Sequence, residues 1–177
     1  MSKVLFITTS PTLNGNGDTL IETAVNAAKS VGAETTKIDI RNMSINGCKA
    51  CNACMKTGSC VQKDDFGKIL SAIQECDSLV VTVPIYFNLP CAQSVTLLNR
   101  LFNLFSPEYK SSGKGKKLAV MLTFGGSDPD KMTELTANAV GFFRQIKESR
   151  IETFPKLSDG PDVCRNTPAY LERAIEI

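Results

Sequence analysis

The hydrophobic pattern of the chain alternates between short apolar runs and longer stretches with helical spacing. Residues 4–7, 79–83 and 118–122 are almost entirely apolar, which is typical of strands that are covered on both faces. Apolar residues recur every three or four positions over residues 20–31, 66–73, 91–105 and 130–147. This alternation predicts a parallel β-sheet with helices on both of its faces.

Two further runs, residues 35–40 and 151–154, carry polar positions between the apolar ones, as expected of strands at the edges of a sheet. Placing these two runs outermost gives the strand order 2-1-3-4-5. This order predicts an α/β fold of the flavodoxin-like type, a three-layer sandwich around a five-stranded parallel sheet. We expect residues 1–177 to form one such domain, with a cysteine-rich loop inserted at residues 46–63.

The connection between the first strand and the first helix, residues 10–19, has the composition of an anion-binding loop. In this topology ligands bind at the carboxyl ends of the strands, and a helix start there presents unpaired N–H groups. Glycines allow a close approach of the backbone to an anion. The candidate phosphate-binding residues are Ser10, Thr12, Asn16, Gly17 and Thr19. Asp18 would repel a phosphate, so we expect its side chain to point outward.

Other interpretations of this loop rest on weaker patterns. Gly15 and Gly17, followed by Asp39, imitate a dinucleotide-binding fingerprint, but Leu20 occupies the third glycine position. A nucleotide-binding P-loop of the Walker type requires a Gly-Lys-Ser/Thr sequence, which the loop lacks. A polar connection that binds no ligand remains a third interpretation.

The charge balance indicates neither a nucleic acid nor a membrane as a partner. Twenty basic and eighteen acidic residues give a net charge of +2, and the longest apolar runs are too short to cross a bilayer. The first residues read as a buried strand rather than a signal peptide, so we expect a cytoplasmic protein. Histidine is absent, which removes the commonest acid or base at neutral pH.

Four of the seven cysteines lie within thirteen residues, at Cys48, Cys51, Cys54 and Cys60. Disulfides rarely persist in a reducing compartment, so these thiols require another explanation. A compact set of four thiolates suits a [4Fe–4S] cluster or a zinc ion. Free thiols without a metal are the remaining interpretation.

Several segments resemble the NADPH-dependent FMN reductase and iron–sulfur flavoprotein group. The resemblance begins with the Ser-Pro-x-x-x-Gly-Asn segment at residues 10–16 and continues with the four cysteines, which Asp64 and Asp65 follow. It extends through the Pro-Ile-Tyr-Phe sequence at residues 84–87 to Asn99 and Arg100. The order of the segments matches the group over roughly residues 3 to 126, which is more specific than any single motif.

This resemblance implies an FMN-dependent oxidoreductase that couples a [4Fe–4S] cluster, held by the four cysteines, to FMN. It implies NAD(P)H or ferredoxin as electron donor and a homodimer or homotetramer, and we nominate no catalytic side chain. The flavin ring would lie along one set of residues and meet a second set at its other edge. The first set is Pro84, Ile85, Tyr86, Phe87 and Asn88, and the second is Thr123, Gly125 and Gly126.

Two alternatives share these motifs: an NAD(P)H-dependent flavin or quinone reductase with FMN alone, and an electron carrier without enzymatic activity. The chain also departs from the group's pattern. Thr12 stands where an arginine is common, and Gly17 where Ser or Thr is frequent. In the helix before Arg100, Val95 and Asn99 replace a frequent lysine and aspartate.

Overall fold

The computed structural model describes residues 1–106, 115–126, 128–140 and 148–177. The strands are β1 (Lys3–Thr8), β2 (Glu34–Asp39), β3 (Ser78–Tyr86), β4 (Leu89–Pro90), β5 (Lys117–Thr123) and β6 (Glu148–Phe154). The helices are α1 (Asn16–Ser30), α2 (Ala53–Thr57), α3 (Phe66–Glu75), α4 (Ala92–Arg100), α5 (Pro129–Val140) and α6 (Pro168–Ile175). Short 3-10 segments follow β2 and α4, at Ile40–Asn42 and Leu101–Phe105.

The main sheet has the order β2-β1-β3-β5-β6, and all four pairings along it are parallel. This confirms the predicted flavodoxin-like order of five strands. The three most apolar strands, β1, β3 and β5, are central, while the polar strands β2 and β6 form the edges. The physical reason is that a central strand is covered by helices on both faces and therefore exposes neither side.

A short antiparallel strand, β4, was not predicted from the sequence. It pairs with the end of β3, with Tyr86 opposite Leu89. The intervening Phe87 and Asn88 have φ angles of 51° and 62°, which is the left-handed conformation that a two-residue hairpin turn requires. The turn thus projects Phe87 fully into solvent.

The helix boundaries differ from the predicted ones where the regular hydrophobic pattern ends. The helix expected to begin at Asp64 begins at Phe66. The Asp64 carboxylate accepts from the main-chain N–H of Phe66, and the Asp65 carboxylate accepts from that of Ser44 in the loop after β2. The predicted helix at residues 91–105 divides into α4 and a 3-10 segment. Of the helix predicted at 130–147, α5 covers the part to Val140, and residues 141–147 lie outside the described residues.

The core lies on both faces of the sheet, because successive residues of a strand point to opposite sides. On one face, Leu5 and Ile7 of β1 pack with Phe66 and Ile69 of α3. On the other face, Phe6 packs with residues of α1, including Leu20. These two layers fix α1 and α3 against β1. In the described parts of the chain, no helix combines the length and apolar character that a membrane crossing needs.

Candidate functional site

The carboxyl ends of β1, β3 and β5 border a cleft of about 530 Å³. This volume lies in the usual range for a small-molecule site. An apolar cavity of about 80 Å³ beneath α4 is far smaller. The described residues that line the cleft are Ser10, Thr12, Asn16, Gly17, Pro84, Ile85, Tyr86, Thr123, Phe124, Gly125, Leu157, Gly160 and Pro161.

Nine of the thirteen residues assigned to cofactor binding from the sequence line this cleft. The nine are Ser10, Thr12, Asn16, Gly17, Pro84, Ile85, Tyr86, Thr123 and Gly125. The other four, Thr19, Phe87, Asn88 and Gly126, are not among its lining residues. Thr19 follows the loop in α1, and Phe87 and Asn88 form the hairpin turn beyond β3. The roles of all thirteen in binding a cofactor stay predictions.

The start of α1 opens into the cleft without a side-chain cap. The residue before the helix, Gly15, has extended backbone angles (φ −84°, ψ −171°), and no side chain caps the helix there. The first N–H groups of a helix have no partners within the helix, and the helix dipole makes this end positive. An uncapped helix start beside Ser10 and Thr12 is therefore suited to hold an anion.

The sequence led us to expect that the Asp18 side chain points outward to solvent. This prediction is wrong, because Asp18 is buried. Its carboxylate accepts hydrogen bonds from the hydroxyl of Thr8 (3.2 Å) and the main-chain N–H of Asn14 (2.8 Å). It also forms a two-pronged ion pair with Arg41, at 2.9 and 3.0 Å. Because Arg41 neutralises it, a carboxylate two residues inside α1 need not repel an anion at the start of the helix.

Arg41 ties residues 10–19, which we call the phosphate loop after their predicted ligand, to the end of β2. Its guanidinium donates to the carbonyl oxygen of Thr12 at 2.6 Å and to the carboxylate of Asp39 at 2.6 Å. Burial alone would raise the pKa of Asp39, but the side-chain and main-chain hydrogen bonds from Arg41 outweigh it, so the pKa is lowered. Hydrogen bonding to Asp39 likewise raises the pKa of Arg41. Arg41 thus stays charged and fixes the loop.

A buried polar cluster joins the ends of β1 and β3 to the start of α4. The Thr9 hydroxyl donates to the carbonyl oxygen of Thr82 at 2.6 Å and lies 2.5 Å from the hydroxyl oxygen of Ser94. The Cys91 thiol donates to the carbonyl oxygen of Thr9 at 3.3 Å. These bonds satisfy polar groups that would be costly to bury alone, and they fix the switch point of the sheet.

The four clustered cysteines lie in the loop after β2, on the same edge of the sheet as the cleft. All four are free thiols; Cys48 and Cys51 are exposed, while Cys54 and Cys60 are half-buried. Burial raises the pKa of the Cys54 thiol, and the neighbouring thiols raise it further. In the described residues, no group of three or more cysteines and carboxylates is arranged to hold a metal ion.

Arg100 holds both ends of this cysteine loop. Its side chain and that of Asp64 are only 1% and 3% exposed, and the two form an ion pair at 2.5 and 3.0 Å. The same guanidinium donates to the carbonyl oxygen of Asn46 at 2.8 Å and to the sulfur of Cys60 at 3.4 Å. It also stacks 4.5 Å above the centre of the Phe66 ring.

The family model described as NADPH-dependent FMN reductase matches residues 2–144 of the chain. The chain belongs to this family. The match includes the phosphate loop, the cysteine loop and the ends of β3 and β5, so it covers most of the residues around the cleft.

Curated relatives carry the name iron–sulfur flavoprotein. One from Archaeoglobus fulgidus is 30% identical over 99 residues, which cover 56% of this chain and 45% of the relative. Another, from Methanocaldococcus jannaschii, is 36% identical over 98 residues, covering 55% of this chain and 51% of the relative. The matched part therefore spans about half the length of these relatives.

Solved structures support the fold. An NAD(P)H:quinone oxidoreductase from Methanothermobacter marburgensis superposes with a TM-score of 0.74 at 15% sequence identity. The superposition covers 99% of this chain and 96% of that one. At this level of identity, the likeness concerns the fold alone.

Sequence reasoning missed five residues at the site: Phe124, which lines the cleft after β5, the three residues named next, and Arg41. Leu157, Gly160 and Pro161 line the cleft from beyond β6, and no motif or periodic pattern marks them. Arg41 was also missed. Its signal in the sequence is a basic residue directly after the predicted edge strand, which neighbours the strand that leads to the acidic Asp18.

We expect Asp64→Asn to lower the free energy of unfolding by about 3 kcal/mol at neutral pH, because it leaves the buried Arg100 charge without its partner. Chemical denaturation measures this loss. The matched control is Asp65→Asn, whose ion pair with the exposed Lys68 lies at the surface. It should cause a much smaller loss. Equal losses in the two variants would contradict the structural role assigned to the buried pair.

The same pair predicts a pH dependence. Hydrogen bonds from Arg100 lower the pKa of Asp64 from 3.8 to about 2. A lowered carboxyl pKa contributes stability that is complete above the unfolded-state pKa and is lost as the pH falls through the folded-state pKa. We expect about 2 kcal/mol of the difference between wild type and Asp64→Asn to disappear between pH 4 and pH 2. A constant difference over this range would contradict the assignment.

Proposed function

We propose that this protein is an FMN-dependent oxidoreductase whose flavin lies in the cleft at the carboxyl end of the sheet. The observation that carries the proposal is the uncapped start of α1, which opens into this cleft at the switch point of the sheet. Membership of the NADPH-dependent FMN reductase family supports flavin mononucleotide as the ligand.

The groups at the start of α1 fit the phosphate of FMN. The main-chain N–H groups of Asn16 and Gly17 and the hydroxyls of Ser10 and Thr12 are donors in the right place. Asp18, the only carboxylate in residues 10–19, is engaged by Arg41. Thr12 itself replaces the arginine that is common in the family, so amides and hydroxyls rather than a second cation would bind the phosphate.

The other end of the cleft fits a flat, largely apolar ring. Pro84, Ile85 and Tyr86 at the end of β3 form one side, and Thr123 and Gly125 after β5 form another. Apolar and aromatic surface with nearby main-chain donors can orient such a ring and adjust its electron affinity. When bound, FMN would supply the redox chemistry, because its ring accepts a hydride or single electrons.

We assign the four clustered cysteines as ligands of a [4Fe–4S] cluster. The donor set fits chemically, because all four are free thiols in one short loop that Arg100 anchors at both ends. Curated relatives named iron–sulfur flavoprotein also favour it. As described, the thiols are not gathered around a common point, so binding requires their side chains to reorient. The cluster would supply one-electron chemistry.

NAD(P)H or ferredoxin is the electron donor that this assignment favours, and the family resemblance favours a homodimer or homotetramer. The second candidate function is an NAD(P)H-dependent flavin or quinone reductase with FMN alone. The observation that favours it is the family model, whose description names an NADPH-dependent FMN reductase. Rapid oxidation of NADH or NADPH in a steady-state assay would exclude a pure electron carrier.

Gly17→Asp tests the phosphate site. An added Cβ at Gly17 lies 3.4 Å or more from its neighbours, so the first atom of the new side chain has room, and thermal unfolding of the variant checks that it folds. Its carboxylate would repel the phosphate at the helix start, and we expect FMN affinity to fall about 10- to 100-fold. Affinity for riboflavin, which has no phosphate, should change less than threefold. Quenching of flavin fluorescence measures both.

The matched control for this variant is Gly67→Asp. Gly67 is the second residue of α3, as Gly17 is of α1, and an added Cβ there meets no atom within 4 Å. FMN affinity should be unchanged in this control. Failure of the wild-type protein to bind FMN, or an equal loss of FMN and riboflavin in Gly17→Asp, would overturn the phosphate assignment.

Iron and sulfide analysis of anaerobically purified protein tests the cluster. We expect about four irons per chain and a loss of at least half of them in Cys54→Ala. The control is Cys76→Ala, which removes a buried thiol just after α3 and outside the cysteine loop. It should retain the wild-type iron content. Flavin without iron in the wild type would favour the FMN-only reductase, and zinc in place of iron would exclude the cluster.

A further inference from the structure

The chain beyond β6 forms a wall of the cleft that the family match does not include. We call residues 155–164 the C-terminal strap; the family match ends at residue 144. The strap begins as a continuation of the sheet, with the N–H of Leu157 donating to the carbonyl oxygen of Phe124 at 3.1 Å. Leu157, Gly160 and Pro161 then face the cleft.

Asn16 binds the strap with both ends of its side-chain amide. Its Nδ2 donates to the carbonyl oxygen of Gly160 at 2.8 Å, and its Oδ1 accepts from the main-chain N–H of Cys164 at 2.7 Å. These partners lie more than 140 positions away in the sequence. The side chain of the first residue of α1 is therefore held by the strap, and its main-chain N–H and the second N–H of its amide remain as donors.

A second close contact lies on the other side of the cleft, at Gly125. A Cβ added to Gly125 would be 2.5 Å from the hydroxyl oxygen of Ser158 and 3.6 Å from its Cβ. A side chain at position 125 would therefore force the Ser158 hydroxyl to move, at the point where the strap approaches the loop after β5. Gly125 therefore borders both the cleft and the strap.

The far side of the strap is anchored in the core. The Tyr170 hydroxyl of α6 donates to the carbonyl oxygen of Pro155 at 2.8 Å, and Cys164 is completely buried. The strap is thus fixed at its ends, and Asn16 is the side chain that ties its middle and its end to the phosphate loop.

We propose that the C-terminal strap is a binding wall for the flavin and that Asn16 is the positioning residue that holds it against the cleft. This inference rests on the proposed binding of FMN. Leu157 and Pro161 offer the ligand apolar surface and no charge, so the strap should contribute through the uncharged part of the flavin. Loss of its position should therefore weaken FMN and riboflavin together, unlike loss of a phosphate contact.

Asn16→Ala tests the inference, with Asn166→Ala as the control. Asn166 is exposed and bonds only weakly to Asp162, at 3.4 Å. We expect Asn16→Ala to lower the affinity for both FMN and riboflavin about tenfold, because two hydrogen bonds to the strap are lost. The control should bind both flavins within twofold of wild type. Fluorescence titration gives the six dissociation constants, two flavins for each of wild type and the two variants.

A second pair of variants tests the strap from the opposite side and does not depend on Asn16. Gly125→Ala should weaken both flavins, because its methyl group collides with Ser158 and displaces the strap. Adding Ser158→Ala removes the colliding hydroxyl, and we expect the double variant to recover binding to within threefold of wild type. Without such recovery, Gly125 contacts the flavin directly.

The outcomes separate the inference from the function on which it rests. Wild-type protein that binds no flavin would overturn both. Wild-type binding together with an unchanged Asn16→Ala would overturn only the strap. A loss in Asn16→Ala that affects FMN but spares riboflavin would also overturn it, because the side chain would then act on the phosphate. If Asn16→Ala fails to fold, the second pair of variants decides: recovery of flavin binding in the double variant supports the strap as a binding wall, and failure to recover overturns it.

Discussion

The site depends on one electrostatic constraint: helix α1 must begin uncapped at the end of β1 although a carboxylate lies two residues inside it. The positive end of the helix attracts an anion, whereas an unpaired Asp18 would oppose it. The structure meets this constraint by turning Asp18 inward onto Arg41. Arg41 comes from the segment after β2, so an edge strand that contributes little to the core contributes directly to the site.

Three irregular segments at this edge of the sheet are held by side chains from distant parts of the chain. Arg41 holds the phosphate loop, Arg100 holds the cysteine loop, and Asn16 holds the C-terminal strap. Burying an ion pair costs desolvation that its attraction does not always offset. Arg100 and Asp64 are almost completely buried. We therefore interpret their ion pair as a device that fixes the shape of the cysteine loop rather than as a source of net stability. The same geometry places a guanidinium N–H on the sulfur of Cys60.

The sheet order could be predicted from the sequence, because strands that are buried on both faces are almost entirely apolar. This is the pattern of β1, β3 and β5. The place of the cleft beside residues 10–17 could be predicted, because ligands in this topology bind where β1 ends and a helix starts. Binding of a phosphate there stays a prediction. The direction of Asp18 could not, because it depends on Arg41, a residue of the segment after β2. The strap could not be predicted for the same reason, since its contacts with Asn16 span most of the chain and follow no period.

A crystal structure of the protein grown with FMN tests the central claim most directly. The account predicts a phosphate whose oxygens lie about 2.7–3.2 Å from main-chain nitrogens in the first turn of α1, with the Asp18–Arg41 pair intact behind it. A flavin whose phosphate lies away from this helix start, or a cleft that stays empty at saturating FMN, would contradict it.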